Sequence, residues 1–233
     1  MPKSSNAKSS LSAERLSVSV EDYLKTIYHL SEGGEPASTN AIAQRLSLSA
    51  PSVTGMVKRL AEQGYVHHEP YRGVELTSLG RRAALRTVRR HRVLEAYLVA
   101  FLSYDWGNVH DEAERLEHAV SDVLIERMAQ ALGNPSVDPH GDPIPAPDGT
   151  IAEVVYTPLT ELPVGPATVR RVQEGDGERL RYLAGIGLVP GARVTVVARE
   201  PFAGPVTIRI GDRTQIVGRE IGDQVLCLKE GVA

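Results

Sequence analysis

The sequence predicts a mainly α-helical protein that ends in a small β domain. Apolar residues recur at helical spacing through most of residues 18–133. Short runs of β-branched residues, separated by turn residues, follow from about residue 162. A stretch rich in Pro, Gly and Asp lies between these two parts and indicates a boundary. The 233 residues, 42% of them hydrophobic, suffice for two or three small domains.

Composition limits the functional classes. The net charge is −3, so no overall basic excess indicates nucleic acid, but residues 81–92 hold six arginines and no acid, and residues 95–126 are strongly acidic. These opposed blocks suggest an anionic partner and a cation. The single cysteine, Cys227, excludes a disulfide within the chain. No apolar run approaches the ~20 residues of a membrane helix, so we expect a cytoplasmic protein with a disordered tail over residues 1–17.

Residues 38–64 carry a helix-turn-helix pattern. A short helix from about Asn40 to Leu46 and a turn lead to a second helix, which Ser49 caps. Residues 65–77 then predict a β-hairpin with an arginine at its tip, which is the wing of a winged helix. We expect small and basic side chains here to contact DNA. The predicted contacts are Ser49, Pro51, Ser52, Thr54, Lys58, Arg59 and Arg72.

Two helices offer imidazole and carboxylate groups from one face. A long helix capped by Thr77 or Ser78 is predicted to run to about Leu102. Its arginines can bind DNA phosphate or solvate the helix, and we expect mainly the second, with a few near the duplex. An acidic helix follows and continues as an apolar-rich helix to Gly133. Spacings of three and four residues place its acids and histidines together, and such groups bind borderline-to-hard divalent cations. A solvated acidic helix is the alternative. The candidate ligands are His91, Glu95, His110, Glu114, Glu117 and His118.

The C-terminal part predicts five short strands and one short helix over residues 178–186, which fit a small SH3-like barrel. Cys227 lies within a strand, where a core position is expected. His140, in the Pro-rich stretch, is expected to be exposed and inert. An acidic turn is a further candidate for reaching a metal, although ordinary turn chemistry explains it as well. Its acids are Glu174, Asp176 and Glu178.

The order of these motifs resembles the diphtheria toxin repressor family of bacterial iron- and manganese-dependent transcriptional regulators. The most specific part is Val109 to Ser121, which begins with the sequence Val-His-Asp-Glu-Ala-x-x-x-Glu-His. The His-Gly-Asp-Pro-Ile-Pro linker at residues 140–145 also belongs to the order of motifs. The resemblance implies a winged-helix domain, a helical metal-binding and dimerisation domain, and an SH3-like (FeoA-like) domain. The resulting boundaries are 1–17 for the tail, 18–82 for the DNA-binding domain, 83–149 for the helical domain, 150–161 for a linker and 162–233 for the SH3-like domain.

The resemblance also implies two metal sites. One would use Asp22, Glu114, Glu117 and His118, although Asp22 on its own is equally well explained as a first-turn helical acid. The second site would use His91, Glu95 and His110, and an acid of the SH3-like domain can add a ligand in such proteins.

The ligand types favour manganese. Iron-responsive members of the family have Met and Cys where this chain has Asp22 and Glu114. Because Mn²⁺ lies at the weak end of the affinity series, a site for it must avoid thiolates that trap later metals. Manganese regulators often have a carboxylate where Lys25 stands, so a two-manganese cluster of that kind is not expected. Mn²⁺ is the predicted cofactor and Fe²⁺ the alternative.

The predicted function is a homodimeric, metal-dependent repressor of metal-uptake genes that binds a near-palindromic operator in double-stranded DNA. It is not expected to be an enzyme, to bind a membrane or to use a small organic substrate. Two alternatives are a metallohydrolase that activates water with the same cluster and a winged-helix regulator that senses an organic ligand.

Overall fold

The described residues form two compact units that divide after Ala83, and the architecture is mixed α/β. The structure, a computed structural model, describes residues 16–69, 72–152, 154–173 and 177–230. Within these ranges, no helix combines the length and the apolar character that crossing a bilayer requires.

The first unit is a winged helix-turn-helix, as predicted. Ser49 caps the second helix of the motif, since its side chain accepts a hydrogen bond from the Ser52 amide at 3.4 Å. Ala37 and Val74 exchange backbone hydrogen bonds of 3.0 and 2.9 Å, which adds a minimal third strand to the wing. The elements are α1 (Val18–Leu30), α2 (Thr39–Arg45), α3 (Ala50–Glu62), β1 (Val66–Glu69) and β2 (Gly73–Leu76).

A long helix, α4 (Ser78–Leu102), follows the wing with the bounds expected from the sequence. Thr77 caps it, because the Thr77 hydroxyl accepts the Gly80 amide at 3.1 Å. The expected continuous helix to Gly133 is wrong: α5 (Val109–Leu116) and α6 (Asp122–Ala131) are separate. The physical reason is Ser121, whose side chain accepts the Leu124 amide at 3.2 Å and begins a new helix.

The C-terminal strands form an antiparallel sheet in the order β3-β8-β4-β5-β6-β7. The predicted closed barrel is wrong, because β3 and β7 are the two edges and share no ladder among the described residues. Since β3 has only two residues, it offers too few hydrogen bonds to close the sheet. The elements are β3 (Thr157–Pro158), β4 (Gly165–Val172), α7 (Gly177–Gly185), β5 (Arg193–Arg199), β6 (Val206–Ile210), β7 (Arg213–Val217), α8 (Arg219–Gly222) and β8 (Val225–Lys229).

The core of the sheet lies on one face, where alternate strand residues are buried against α7. Cys227 is part of this core, as expected, and is 1% exposed. Burial raises the pKa of its thiol to about 12, so the thiol stays protonated and is unsuited to metal binding.

Candidate metal centre

Helix α4 places His91 and Glu95 one turn apart on its buried face. The His91 Nε2 and Glu95 Oε1 atoms are 3.0 Å apart, and the two residues are 2% and 0% exposed. Helix α5 brings His110 to the same point, with its Nδ1 3.0 Å from His91 Nε2 and 3.3 Å from Glu95 Oε1. The helical spacing seen in the sequence therefore does bring these three side chains together.

Three candidate ligand atoms on the more exposed side of these residues lie within 4.8 Å of one another. They belong to His91, His110 and Glu114, which we call the rim cluster, because His110 and Glu114 are half-buried. The Glu114 Oε1 atom is 3.7 Å from His110 Nε2 and 3.9 Å from His91 Nδ1. The rim cluster therefore gathers imidazole nitrogen and carboxylate oxygen, which are donor types that bind divalent cations.

Glu117 connects the two predicted ligand sets. Its Oε2 lies 2.6 Å from His91 Nδ1, and its Oε1 lies 3.3 Å from His118 Nε2. Imidazole and carboxylate therefore alternate from His118 through Glu117 and His91 to Glu95. The groups that the resemblance assigns to separate sites are in direct contact within the second unit.

A second group of candidate ligand atoms is fully buried, and it includes two residues, Asp138 and His140, that were not among the predicted metal ligands. Glu95, Asp138 and His140 each offer one atom within 4.8 Å of the others, and all three are buried. We call them the interior cluster. Glu95 serves both clusters: its Oε1 faces His91 and His110, and its Oε2 lies 3.7 Å from His140 Nδ1.

The expectation that His140 is exposed is wrong, since it is 0% exposed. The reason is a folded loop in the Pro-rich stretch. One Asp138 oxygen accepts the amides of His140 and Asp142 at 2.8 and 2.9 Å, while His140 Nε2 lies 3.0 Å from the Trp106 carbonyl. The Trp106 ring packs against the imidazole in a tilted arrangement, with the ring centroids 5.1 Å apart. These contacts fix the ring, with Nδ1 toward Glu95.

Burial and neighbouring charges shift the pKa values of the interior cluster. Burial raises the pKa of Glu95, but the imidazoles of His110, His140 and His91 outweigh it and hold the pKa well below its usual range. Burial, and then repulsion from Asp142 and Glu95, raises the pKa of Asp138 well above its usual range. Burial lowers the pKa of His140, but Glu95 and Asp138 outweigh it and raise the pKa to about 9.

The interior cluster fits a divalent cation. Within the described part of the chain, three of its buried atoms have no hydrogen-bond partner: Glu95 Oε2, Asp138 Oδ2 and His140 Nδ1. Buried polar atoms without partners are costly and call for an explanation. An oxygen and nitrogen donor set without sulfur suits Mn²⁺ or Fe²⁺. A bound cation would supply partners for all three atoms.

The other candidate ligands are placed as follows. Asp22 lies on α1 of the first unit and is half-buried. Its predicted association with Glu114, Glu117 and His118 stays a prediction. Glu178, at the start of α7, is exposed. Glu174 and Asp176 fall outside the described residues.

The expectation that the arginines of α4 mainly solvate the helix holds for only part of them, because Arg89, Arg90 and Arg92 are buried or half-buried. Arg89 makes a two-point ion pair with Glu126 of α6 at 2.8 Å, and Arg90, which is 4% exposed, lies 2.9 Å from Asp122. Arg86 also pairs with Asp122. The acids of α6 therefore pair with Arg86, Arg89 and Arg90, and these ion pairs hold α4 and α6 together.

The predicted DNA contacts are all exposed in the first unit. Arg72 is next to the wing tip and pairs with Glu69 at 3.2 Å. The others lie in or next to the second helix of the motif. They are Ser49, Pro51, Ser52, Thr54, Lys58 and Arg59.

Comparison with known proteins decides the family. Three family models match: an iron-dependent repressor N-terminal DNA-binding domain over residues 15–74, an iron-dependent repressor metal-binding and dimerisation domain over 77–146, and a FeoA domain over 157–228. The iron-dependent repressor IdeR of Mycobacterium leprae is 38% identical over 189 residues, which cover 76% of this chain and 82% of the relative. The chain belongs to the iron-dependent repressor family. It is a metal-dependent, DNA-binding transcriptional repressor, which excludes the metallohydrolase alternative.

Relatives of this repressor differ in metal. The diphtheria toxin repressor of Corynebacterium efficiens is 33% identical over 188 residues, covering 76% of this chain and 82% of that protein. A manganese-dependent transcriptional repressor solved in complex with manganese is 42% identical, with a TM-score of 0.84, covering 91% of this chain and 100% of that one. The manganese regulator SloR is 36% identical, with a TM-score of 0.74, covering 91% and 98%. Both iron- and manganese-named proteins therefore occur among the relatives.

Proposed function

We propose that this repressor is activated by manganese and, as a homodimer, binds a near-palindromic operator that controls metal-uptake genes. The observation that carries the choice of metal is the donor set. The rim and interior clusters offer only imidazole nitrogen and carboxylate oxygen, and the single thiol lies buried in the β-sheet core. A weakly binding metal such as Mn²⁺ needs a site without thiolates, which would otherwise select later metals. Fe²⁺ is the alternative.

In this proposal, two sets of metal ligands bind the activating cation. We infer that Asp22, Glu114, Glu117 and His118 form one site, and that His91, Glu95 and His110 form the other. The interior cluster extends the second site with Asp138 and His140, and Glu174, Asp176 or Glu178 is a candidate for a further oxygen ligand. When bound, the cation supplies positive charge that relieves the repulsion between these carboxylates.

Asp22 gives the proposal its link to DNA binding. It lies on α1, ahead of the helix-turn-helix, whereas the other proposed ligands follow that motif in the chain. Ligands shared in this way would favour one arrangement of the DNA-binding unit. A change from mostly inactive to mostly active protein requires roughly 10⁴-fold tighter metal binding to the active arrangement.

The recognition surface suits DNA reading by shape and methyl contacts. Ser52 and Thr54 are exposed at the start of α3, where small side chains allow close approach to the major groove. Lys58, Arg59 and Arg72 supply positive charge for phosphates. Paired recognition helices in a dimer would read two half-sites about one helical turn apart.

The test exchanges carboxylates for sulfur. Fluorescence anisotropy would follow binding to the protein's own promoter DNA without metal, with Mn²⁺ and with Fe²⁺ under anaerobic conditions. We expect metal to be required for the wild type, and manganese to lose its advantage in the Asp22→Met/Glu114→Cys variant. An unchanged metal preference in the variant would reject the role of these two carboxylates.

A further inference from the structure

A buried ion-pair network lies behind the interior cluster. Asp142 is 0% exposed, and its Oδ1 accepts from Arg92 of α4 at 3.1 Å and from Arg171 of β4 at 2.6 Å. Arg92 is itself 2% exposed, and its Nη1 donates to the Pro143 carbonyl at 2.6 Å. Two guanidinium groups from different elements therefore bind one carboxylate. Their hydrogen bonds are charge-assisted, which makes them strong and directional.

This network holds the loop that carries Asp138 and His140. The loop packs closely on β4: the Val172 amide donates to the His140 carbonyl at 2.8 Å, and a Cβ added at Gly141 would lie 2.0 Å from the Arg170 carbonyl oxygen. Gly141 has a φ of +89°, which also favours glycine. The loop is therefore fixed between α4 on one side and the C-terminal sheet on the other.

The network also determines which carboxylate is free to bind a cation. Asp142 Oδ1 binds both Arg92 and Arg171, whereas Asp138, whose Oδ2 lies 3.6 Å from Arg92 Nε, is the acid with an oxygen within 4.8 Å of ligand atoms of Glu95 and His140. With Asp142 held back, Asp138 Oδ2 and His140 Nδ1 remain within reach of Glu95 Oε2. The arginines thus give Asp142 a positioning role, whereas Asp138, four residues earlier, is left as a candidate metal ligand.

We propose that Arg171, acting through Asp142, is a positioning residue for the interior cluster, so that the C-terminal sheet sets the metal affinity of the helical centre. Arg92 supplies the matching contact from α4. This inference rests on the proposed function, in which the interior cluster binds Mn²⁺. Residues that orient metal ligands without touching the metal typically contribute roughly 10–100-fold to affinity.

The experiment compares Arg171→Ala with Arg170→Ala, a matched control on the same strand whose side chain is exposed. Mn²⁺ binding to the metal-free full chain would be measured by titration calorimetry, without DNA. The interior component is defined as the part of the binding that His140→Gln removes. We expect Arg171→Ala to weaken that component roughly 10–100-fold, Arg170→Ala to leave it unchanged, and Arg171→Lys, which keeps the charge, to restore part of it.

A second measurement separates positioning from metal binding. Hydrogen exchange of the His140 and Asp142 amides in the metal-free protein should accelerate in Arg171→Ala and not in Arg170→Ala. Equal Mn²⁺ affinity in these two variants would overturn the positioning role. If His140→Gln leaves Mn²⁺ binding unchanged, the proposed metal site fails, while the exchange rates still decide whether Arg171 holds the loop.

Discussion

Glu95 belongs to the interior cluster and contacts the two rim histidines, but the rim and interior clusters differ in their access to water. Two of the three rim residues, His110 and Glu114, are half-buried, and the rim imidazoles already contact carboxylates at 2.6 to 3.3 Å. The interior cluster is buried throughout, and three of its polar atoms have no hydrogen-bond partner among the described residues. The rim is thus suited to rapid exchange with free metal. A cation in the interior cluster would supply partners for three buried polar atoms, so we expect this cluster to release metal more slowly.

The largest expected effect comes from Glu95→Gln, because both clusters use this carboxylate. The amide keeps the size but removes the charge and one acceptor oxygen. We expect Mn²⁺ affinity to fall at both clusters by more than roughly 100-fold, beyond the usual cost of losing an outer partner. Calorimetry would measure it, with Glu112→Gln as a control on the neighbouring acidic helix. Loss at only one cluster would show that Glu95 does not link them.

A pair of smaller effects should separate the clusters. His110→Gln should weaken only the rim component and His140→Gln only the interior component, by roughly 10–100-fold or more in each case. Stopped-flow removal of Mn²⁺ by a chelator would resolve them as a fast and a slow phase. We expect His140→Gln to abolish the slow phase. Loss of the fast phase instead would reverse the assignment.

The smallest effect concerns pH at the interior cluster. Because the pKa of His140 is raised to about 9, a proton must leave before Nδ1 can bind metal. Interior Mn²⁺ affinity should therefore rise with pH, up to about tenfold per unit, until about pH 9. The raised pKa also stabilises the metal-free fold below the usual histidine pKa, and this stabilisation is lost as pH rises through about 9. Calorimetry on His110→Gln at several pH values would isolate the interior component, and an affinity independent of pH would contradict the assignment.

The helical part of the site was predictable because residues three or four apart in a helix project their side chains from the same face. The four-residue spacing of His91 and Glu95 placed both on one face, and the same spacing paired His110 with Glu114. The winged helix was equally readable, since Ser49 and Thr77 are capping residues at helix starts.

Asp138 and His140 were not predicted as ligands because a loop rich in Pro and Gly has no regular spacing from which side-chain directions can be inferred. Composition suggested an exposed linker, yet the loop is buried by contacts with α4 and β4 that are distant in sequence. One signal was available: an Asp whose side chain can accept amides two and four residues later suits a compact turn. The arginine pairs of α4 were missed for the same reason, since Asp122 and Glu126 are more than 30 residues away in the chain.

In the proposed mechanism, metal held at these clusters controls DNA binding. The most direct measurement is fluorescence anisotropy of labelled promoter DNA during a Mn²⁺ titration of the wild type and Glu95→Gln. We expect no specific binding in chelator, binding by the wild type as Mn²⁺ is added, and a requirement for more than roughly 100-fold higher Mn²⁺ in the variant. Equally tight specific binding in chelator, or superimposable titrations of the two proteins, would contradict the account.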